Sequence, residues 1–251
     1  MISFIVPAHN EERWIGQCLK SIRTTMENLG APYEVIVVDD ASTDETHRIA
    51  QEMGARTLQV ALRRIAAVRN AGARVAIGEV LFFVDADTKA NEQAVSAALN
   101  ALHAGAVGGG CVPDLEGQIP LWARVIHSFA CMVGRVIRLV GGCFLFCTRT
   151  AFDATGGFPE RFYAGEDIAF VQALKKVGRF VVVKPTVITS ARKLDVVSPW
   201  QVIQLLLTIA LRGPRYESKW VLDILYGRRA EESRKSAKTD RTGSPSSNSK
   251  P

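Results

Sequence analysis

Val80-Leu81-Phe82-Phe83-Val84 is an unbroken apolar run that stops at two acids, Asp85-Ala86-Asp87. A run this short, apolar at every position, is buried on both faces, as in a strand of a parallel sheet covered by helices. That constraint sets the class as α/β, with polar chemistry expected at the carboxyl ends of the strands, where such sheets hold their ligands. Side chains alternate along a strand, so Asp85 and Asp87 are expected to aim at one place. Two neighbouring carboxylates repel each other unless a cation lies between or beside them. A hard ion such as Mg2+ or Mn2+, shared with phosphate oxygens, answers that need. Taken alone, the pair reads equally as turn residues or a helix cap.

The same design recurs along the chain. Ile2 to Val6 is a buried strand ended by Pro7, and Asn10-Glu11-Glu12 opens a helix with Asn10 as its N-cap. Tyr33 to Val38 is a second strand, followed by Asp39-Asp40-Ala41-Ser42-Thr43-Asp44 and a helix, which makes a βαβ unit. Arg56 to Val60 is a third strand. The helix from Leu62 to Ala76 carries Arg63, Arg64, Arg69 and Asn70, whose arginines are either a solvated face or clamps on a diphosphate. A helix from Asn91 to Leu102 and a strand from Ala106 to Val112 come next; Gly108-Gly109-Gly110 is no dinucleotide fingerprint. Ile119 to Val140 is amphipathic, with Arg124, Arg135 and Arg138 off its apolar face. It is expected to be a core helix with a solvated basic side, the alternative being a helix at a membrane interface near a lipid-linked substrate. Gly141-Gly142 lets a backbone approach a ligand, and Gly165-Glu166-Asp167 opens a helix whose dipole favours acids. Phe180 to Val183 and Thr186 to Thr189 are strand-like, and Trp200 to Leu211 is an apolar helix.

Charge narrows the partners. The formal net charge is +6, but from Arg228 onward seven Lys/Arg face three Asp/Glu, so +4 of it sits in a Ser- and Lys-rich tail that is expected to be disordered. The remainder gives no basic footprint for nucleic acid, and none is expected as a partner. Five cysteines without CxxC spacing suggest reduced thiols in a cytoplasmic protein. No stretch reaches the roughly 18 apolar residues of a membrane span. The protein is expected to be soluble or peripheral, with Trp200, Arg212, Arg215, Lys219, Arg228 and Arg229 as an edge that could meet an anionic membrane at its inner face.

Six motifs appear in order: Val6-Pro7-Ala8-His9-Asn10-Glu11-Glu12, Val37-Val38-Asp39-Asp40-Ala41-Ser42-Thr43-Asp44, Arg69-Asn70-Ala71-Gly72, Asp85-Ala86-Asp87, Gly141-Gly142 and Glu166-Asp167. Together they resemble the family 2 glycosyltransferases of the GT-A fold, over about residues 1 to 195. The resemblance implies a Rossmann-like, mostly parallel central sheet flanked by helices. It also implies a nucleotide-diphosphate-sugar donor, a divalent metal and inversion at the anomeric carbon. By position, Pro7, Ala8 and Glu11 would floor the nucleoside pocket, with Asp40 at the base and Asp39 beside it. Asn70 would stand on the donor side, Asp85 would face ribose and metal, and Asp87 would bind the metal. Gly141 and Gly142 would border the acceptor, which is unidentified and could be lipid-linked. Asp167 would be the catalytic base, with Glu166 as its neighbour.

One departure stands out. Some relatives supply a metal-binding histidine after the Glu-Asp helix, whereas all four histidines here lie earlier; the region reads Thr189-Ser190-Ala191-Arg192-Lys193, and Arg192 is expected to serve the diphosphate instead. The expected partition is 1–195 for the GT-A domain, 196–227 for a helical extension and 228–251 for the tail. Two other readings are a sugar nucleotidyltransferase, which would carry a glycine-rich loop where Pro7-Ala8-His9-Asn10 stands, and a non-catalytic scaffold that keeps the fold.

Overall fold

The protein is described by a computed structural model, which covers residues 1–117, 119–162 and 165–192. The chain divides into two units, Met1–Val196 and Val197–Pro251, and the described residues lie in the first. The Trp200–Leu211 helix, the extension, the basic edge and the tail lie outside the described residues.

Eight strands form one sheet in the order β3-β2-β1-β4-β7-β6-β8-β5. The amino-terminal half is parallel: β1 (Ile2–Ala8) lies between β2 (Tyr33–Asp40) and β4 (Val80–Val84), with β3 (Arg56–Val60) outside β2. Beyond β4 the pairing is mixed. β7 (Phe144–Thr148) runs antiparallel to both β4 and β6 (Gly108–Glu116), β8 (Phe180–Ser190) runs parallel to β6, and the short β5 (Thr88–Lys89) runs antiparallel to β8. The α/β class and mostly parallel sheet expected from the sequence are therefore present, with a mixed second half.

Strand alternation splits the apolar runs between two cores. Phe4, Phe82, Phe144 and Phe146 face one side, under α1 (Ile15–Leu29) and α4 (Glu92–His103). Ile5, Phe83 and Leu145 face the other, under α3 (Ile65–Val75), α6 (Arg149–Thr155) and α7 (Glu166–Val177). Phe158 and Phe170 stack at 4.0 Å on that second side, and Phe158 meets Phe83 edge-on at 4.8 Å. The three glycines of β6 are a packing device: a Cβ on Gly109 would stand 2.4 Å from the Phe146 ring and from the Val181 carbonyl oxygen. The remaining helices are α2 (Thr46–Glu52) and α5 (Leu121–Ile137).

Two expectations need correction. Asn10 does not cap α1, which begins only at Ile15 after a turn. Asn10 adopts φ 54°, a conformation that asparagine tolerates better than most residues. Its amide oxygen accepts the Thr43 N–H at 2.8 Å and its own N–H donates to Ser42 Oγ at 3.0 Å, so it straps the β1 loop to the β2 loop. The second correction concerns α5, which is not a core helix. Only Ala123 is fully buried, because α5 rests on the protruding end of β6 while other helices cover the sheet.

Candidate functional site

The carboxyl ends of β1, β2 and β4 and the segment that enters β7 lie on one rim of the sheet. Asp39 and Asp40 close β2, and Asp85 follows β4 with its N–H donated to the Cys143 carbonyl oxygen at 3.1 Å. Asp85 and Asp87 do not sit on a strand. β4 ends at Val84, and a turn closed by the Thr88 N–H on the Asp85 carbonyl oxygen (2.9 Å) carries both acids. Each of the two side chains meets its own arginine.

Asp85 Oδ1 accepts from Arg69 Nη2 at 2.8 Å. Arg69 is 2% exposed, so of its two readings the solvated helix face does not hold. It lies on the face of α3 that carries Ala66 and Ala73, at helical spacings of three and four, and this was the available signal for its burial. Its Nη1 donates to Glu166 Oε1 at 3.0 Å, its Nη2 also donates to the Gly142 carbonyl oxygen at 3.1 Å, and its guanidinium lies 5.2 Å above the Phe158 ring. Burial pulls the guanidinium toward neutrality, but the charges of Asp85, Glu166 and Asp167 outweigh it and hold Arg69 firmly protonated. Glu166 shares that cation with Asp85. Burial, followed by the nearby Asp167 charge, pushes its carboxyl up to about 7 against the pull of Arg69. Its Oε2 has no hydrogen-bond partner among the described residues.

Asp167 opens α7 beside Glu166. Its Oδ2 accepts the Gly142 N–H at 2.7 Å and its Oδ1 accepts the Ile168 N–H at 2.7 Å. A side chain at Gly142 has no room: a Cβ would stand 2.7 Å from Arg69 Nη2 and 3.1 Å from the Asp167 Cβ. Gly141 adjoins it, with the site of its absent Cβ 3.8 Å from Asp167 Oδ2.

Arg192 is the second hub. Its Nε donates to Asp87 Oδ2 at 2.9 Å and its Nη2 to Glu11 Oε1 at 2.7 Å, which joins the end of β8 to the loops after β1 and β4. Burial works against its charge, but the hydrogen bond to Glu11 and the charge of Asp87 more than compensate. Asp87 Oδ1 accepts a longer bond, 3.4 Å, from Thr189 Oγ1. Beneath these acids the Cys18 thiol is pushed upward by burial and then by the charges of Asp87, Asp85 and Glu11.

The other expected site residues are held by local structure. Asp40 Oδ1 accepts the N–H groups of Leu62 (2.7 Å) and Arg63 (3.0 Å), and Asp39 Oδ1 accepts the Ser42 N–H at 3.1 Å. Asp39 Oδ2 lies 3.4 Å from His47 Nδ1. Pro7 and Ala8 are β1 backbone, in register with Val38 and Asp39. Asn70 is engaged elsewhere: its Nδ2 donates to the Phe158 carbonyl oxygen at 2.8 Å and to Glu160 Oε1 at 2.9 Å, and its Oδ1 accepts the Phe158 N–H at 2.9 Å, so it clasps the 158–160 loop.

The donor set for a metal is two carboxylates one residue apart, both hard oxygen ligands. No group of three or more metal-ligating side chains occurs among the described residues. Such a set suits Mg2+ or Mn2+ taken up with diphosphate oxygens, since these ions are commonly held by one or two carboxylates plus substrate phosphates.

Comparison with known proteins places these features. The sequence profile described as glycosyl transferase family 2 matches residues 3–138. A dolichol-phosphate mannosyltransferase of Pyrococcus furiosus is 29% identical over 148 residues, which cover 54% of this chain and 40% of the relative. A 4,4'-diaponeurosporenoate glycosyltransferase of Staphylococcus haemolyticus is 34% identical over 99 residues, 37% of this chain and 25% of the relative. The chain thus spans well under two thirds of the length of these curated relatives. Among solved structures, the mannosyltransferase PcManGT of Pyrobaculum calidifontis, in complex with GDP-Man and Mn2+, superposes with a TM-score of 0.63 at 19% identity, covering 96% of this chain and 79% of that one. S. aureus TarS 1-349 in complex with UDP-GlcNAc gives 0.59 at 20% identity, with 90% and 70% covered. At such identities the likeness shows the fold alone, and that fold is GT-A.

Proposed function

The chain belongs to glycosyl transferase family 2, and from that premise we propose that it is an inverting glycosyltransferase. It moves one sugar from a nucleotide-diphosphate-sugar donor to an acceptor hydroxyl. The observation that supports this most is the continuous path Asp85–Arg69–Gly142–Asp167, with contacts of 2.8, 3.1 and 2.7 Å, which links a donor-side acid to a carboxylate at the helix start.

Asp167 is the general base. The acceptor oxygen attacks the anomeric carbon from the face opposite the diphosphate, its proton passes to the Asp167 carboxylate, and the sugar–phosphate bond breaks with its electron pair leaving on the nucleoside diphosphate. Attack from the opposite face inverts the anomeric configuration. The Gly142 and Ile168 N–H groups orient the carboxylate before it acts, and such base assistance is worth roughly 10²–10⁴-fold. Glu166 adjusts the charge beside it. Gly141 and Gly142 border the acceptor side, where the absence of a side chain lets the Gly142 backbone approach Arg69 and Asp167.

Pro7, Ala8, Glu11, Asp39 and Asp40 line the nucleoside side of the rim, and Arg192 stands ready for the diphosphate. Asp87, with Asp85, would hold a divalent metal, which when bound supplies electrostatic stabilisation for the departing diphosphate. Mn2+ accompanies GDP-Man in one structural neighbour, and UDP with Mn2+ accompanies glucosyl-3-phosphoglycerate synthase of Mycobacterium tuberculosis in another. The names of the two sequence relatives point to dolichol phosphate and 4,4'-diaponeurosporenoate, and an acceptor on a long apolar chain is the corresponding reading here.

A thermal-shift panel of UDP-, GDP- and dTDP-sugars, with and without Mn2+, tests the donor assignment. One nucleotide class should raise the melting temperature by mass action, and more so with Mn2+. No shift with any of them, at millimolar ligand, would remove the donor site.

A further inference from the structure

α5 turns its apolar stripe outward. Leu121, Val125, Phe129, Met132 and Val136 recur at spacings of four, four, three and four, which stacks them on one face, and they are 77%, 62%, 60%, 56% and 77% exposed. The opposite face carries Ala123, His127 and Cys131 and packs on β6, where His127 Nε2 lies 2.9 Å from the Pro113 carbonyl oxygen. A helix that merely covered a core would have the reverse arrangement. Contiguous exposed apolar surface of this kind marks a docking site.

The charges choose the partner. Residues 121–138 include Arg124, Arg135 and Arg138 and not one acid. At 100° per residue, Arg124 and Arg135 fall along one flank of the stripe, and both are exposed. Of the acids on the adjoining strand, Glu116 is paired with Lys89 at 2.6 Å, and Asp114 Oδ1 accepts the Leu115 N–H. A second copy docked through the same face would bring arginine flank toward arginine flank with no helix carboxylate to offset them, since a two-fold interface presents one patch to itself. An anionic lipid surface offsets them directly. At 17 residues α5 is about 25 Å long, and no helix among the described residues is long and apolar enough to cross a membrane.

We propose that α5 is an interfacial membrane helix: its stripe from Leu121 to Val136 enters the headgroup–acyl boundary of an anionic bilayer while Arg124 and Arg135 engage lipid phosphates. A short link, 138–141, joins α5 to Gly142, whose N–H is held by Asp167. Docking therefore brings the acceptor side of the site to the lipid surface. The membrane contact itself does not depend on the donor assignment; only the consequence for a lipid-borne acceptor does.

Sedimentation of the full chain with vesicles tests this, using phosphatidylcholine alone and phosphatidylcholine with an equal part of phosphatidylglycerol. The wild type should bind the anionic vesicles, and less at high salt. The double variant Val125→Asp/Phe129→Asp, altered only at exposed positions, should bind at least about tenfold more weakly. Arg124→Ala/Arg135→Ala should keep the weak binding to neutral vesicles while losing roughly fivefold per charge on anionic ones. Thermal shifts with the donor panel should be the same in all three proteins, so that a failed membrane assay and a failed donor assay remain distinct results. Three outcomes overturn the proposal: no binding by the wild type, undiminished binding by Val125→Asp/Phe129→Asp, or a wild-type dimer in ultracentrifugation that this variant converts to monomer.

Discussion

Arg69 and Arg192 perform the same operation under different conditions. Each guanidinium grips two carboxylates brought from distant parts of the chain, Asp85 with Glu166 in one case and Asp87 with Glu11 in the other. Arg69 is sealed beneath the rim against the Phe158 ring, whereas the Arg192 side chain is 34% exposed. Burial decides what each can do. A sealed cation facing sealed anions cannot leave without stranding charge, so Arg69 is part of the frame. A cation open to water can exchange its carboxylate for a phosphate or yield the carboxylate to a metal, so Arg192 is suited to a working part.

Removing each hub should separate the two roles. Arg69→Met leaves Asp85 and Glu166 without their buried cation and should cost about 3–5 kcal/mol of stability in a denaturant melt. Loss below about 1 kcal/mol would mean that the hub is better solvated than its burial implies. Gly142→Ala strikes the same frame, since the new methyl meets Arg69 and Asp167, and should be destabilising by about 1–3 kcal/mol.

Glu166 gives the frame a pH signature. Its carboxyl titrates near 4.5 in the unfolded chain and about 7 in the folded one, so the folded state holds the proton more tightly. Its contribution is therefore fully present below about 4.5, declines between 4.5 and 7, and is gone above. The decline is on the order of 3 kcal/mol at most. Glu166→Gln should flatten that part of the stability profile; an unchanged slope would assign it to another group.

Arg192→Ala should be milder for the fold than Arg69→Met, about 1–2 kcal/mol, because losing a side chain that is 34% exposed opens its carboxylate partners Glu11 and Asp87, 5% and 2% exposed beneath it, to water. Its effect should appear with Mn2+ instead. With its diphosphate contact gone, Mn2+ plus nucleotide should raise the variant's melting temperature less than the wild type's. A larger rise would make Arg192 a competitor of the metal at Asp87 and not a partner of the diphosphate.

The contrast between the hubs also marks how far the sequence could be read. Strands from Ile2, Tyr33 and Val80 and the acids behind them were legible because run length and chain direction are local properties. For Arg69, charge left a solvated face and a diphosphate clamp both open, and only its helical spacing from Ala66 and Ala73 pointed to burial. The Glu11–Arg192–Asp87 link joins three distant segments, and no local pattern encodes it. Strand alternation does not apply to Asp85 and Asp87, because β4 stops at Val84 and a turn takes over. In α5, periodicity revealed two faces but not which one the sheet would cover; β6 took the side with Ala123 and His127 and left the larger apolar residues outside.

The central claim, that Asp167 activates the acceptor beside a donor gripped on the same rim, is tested most directly by Asp167→Asn. Donor binding and release of nucleoside diphosphate should be measured on the same preparation, once the donor panel has identified the nucleotide. Binding should stay within about twofold of wild type while turnover falls by about 10²–10⁴-fold. Wild-type turnover in that variant would contradict the account.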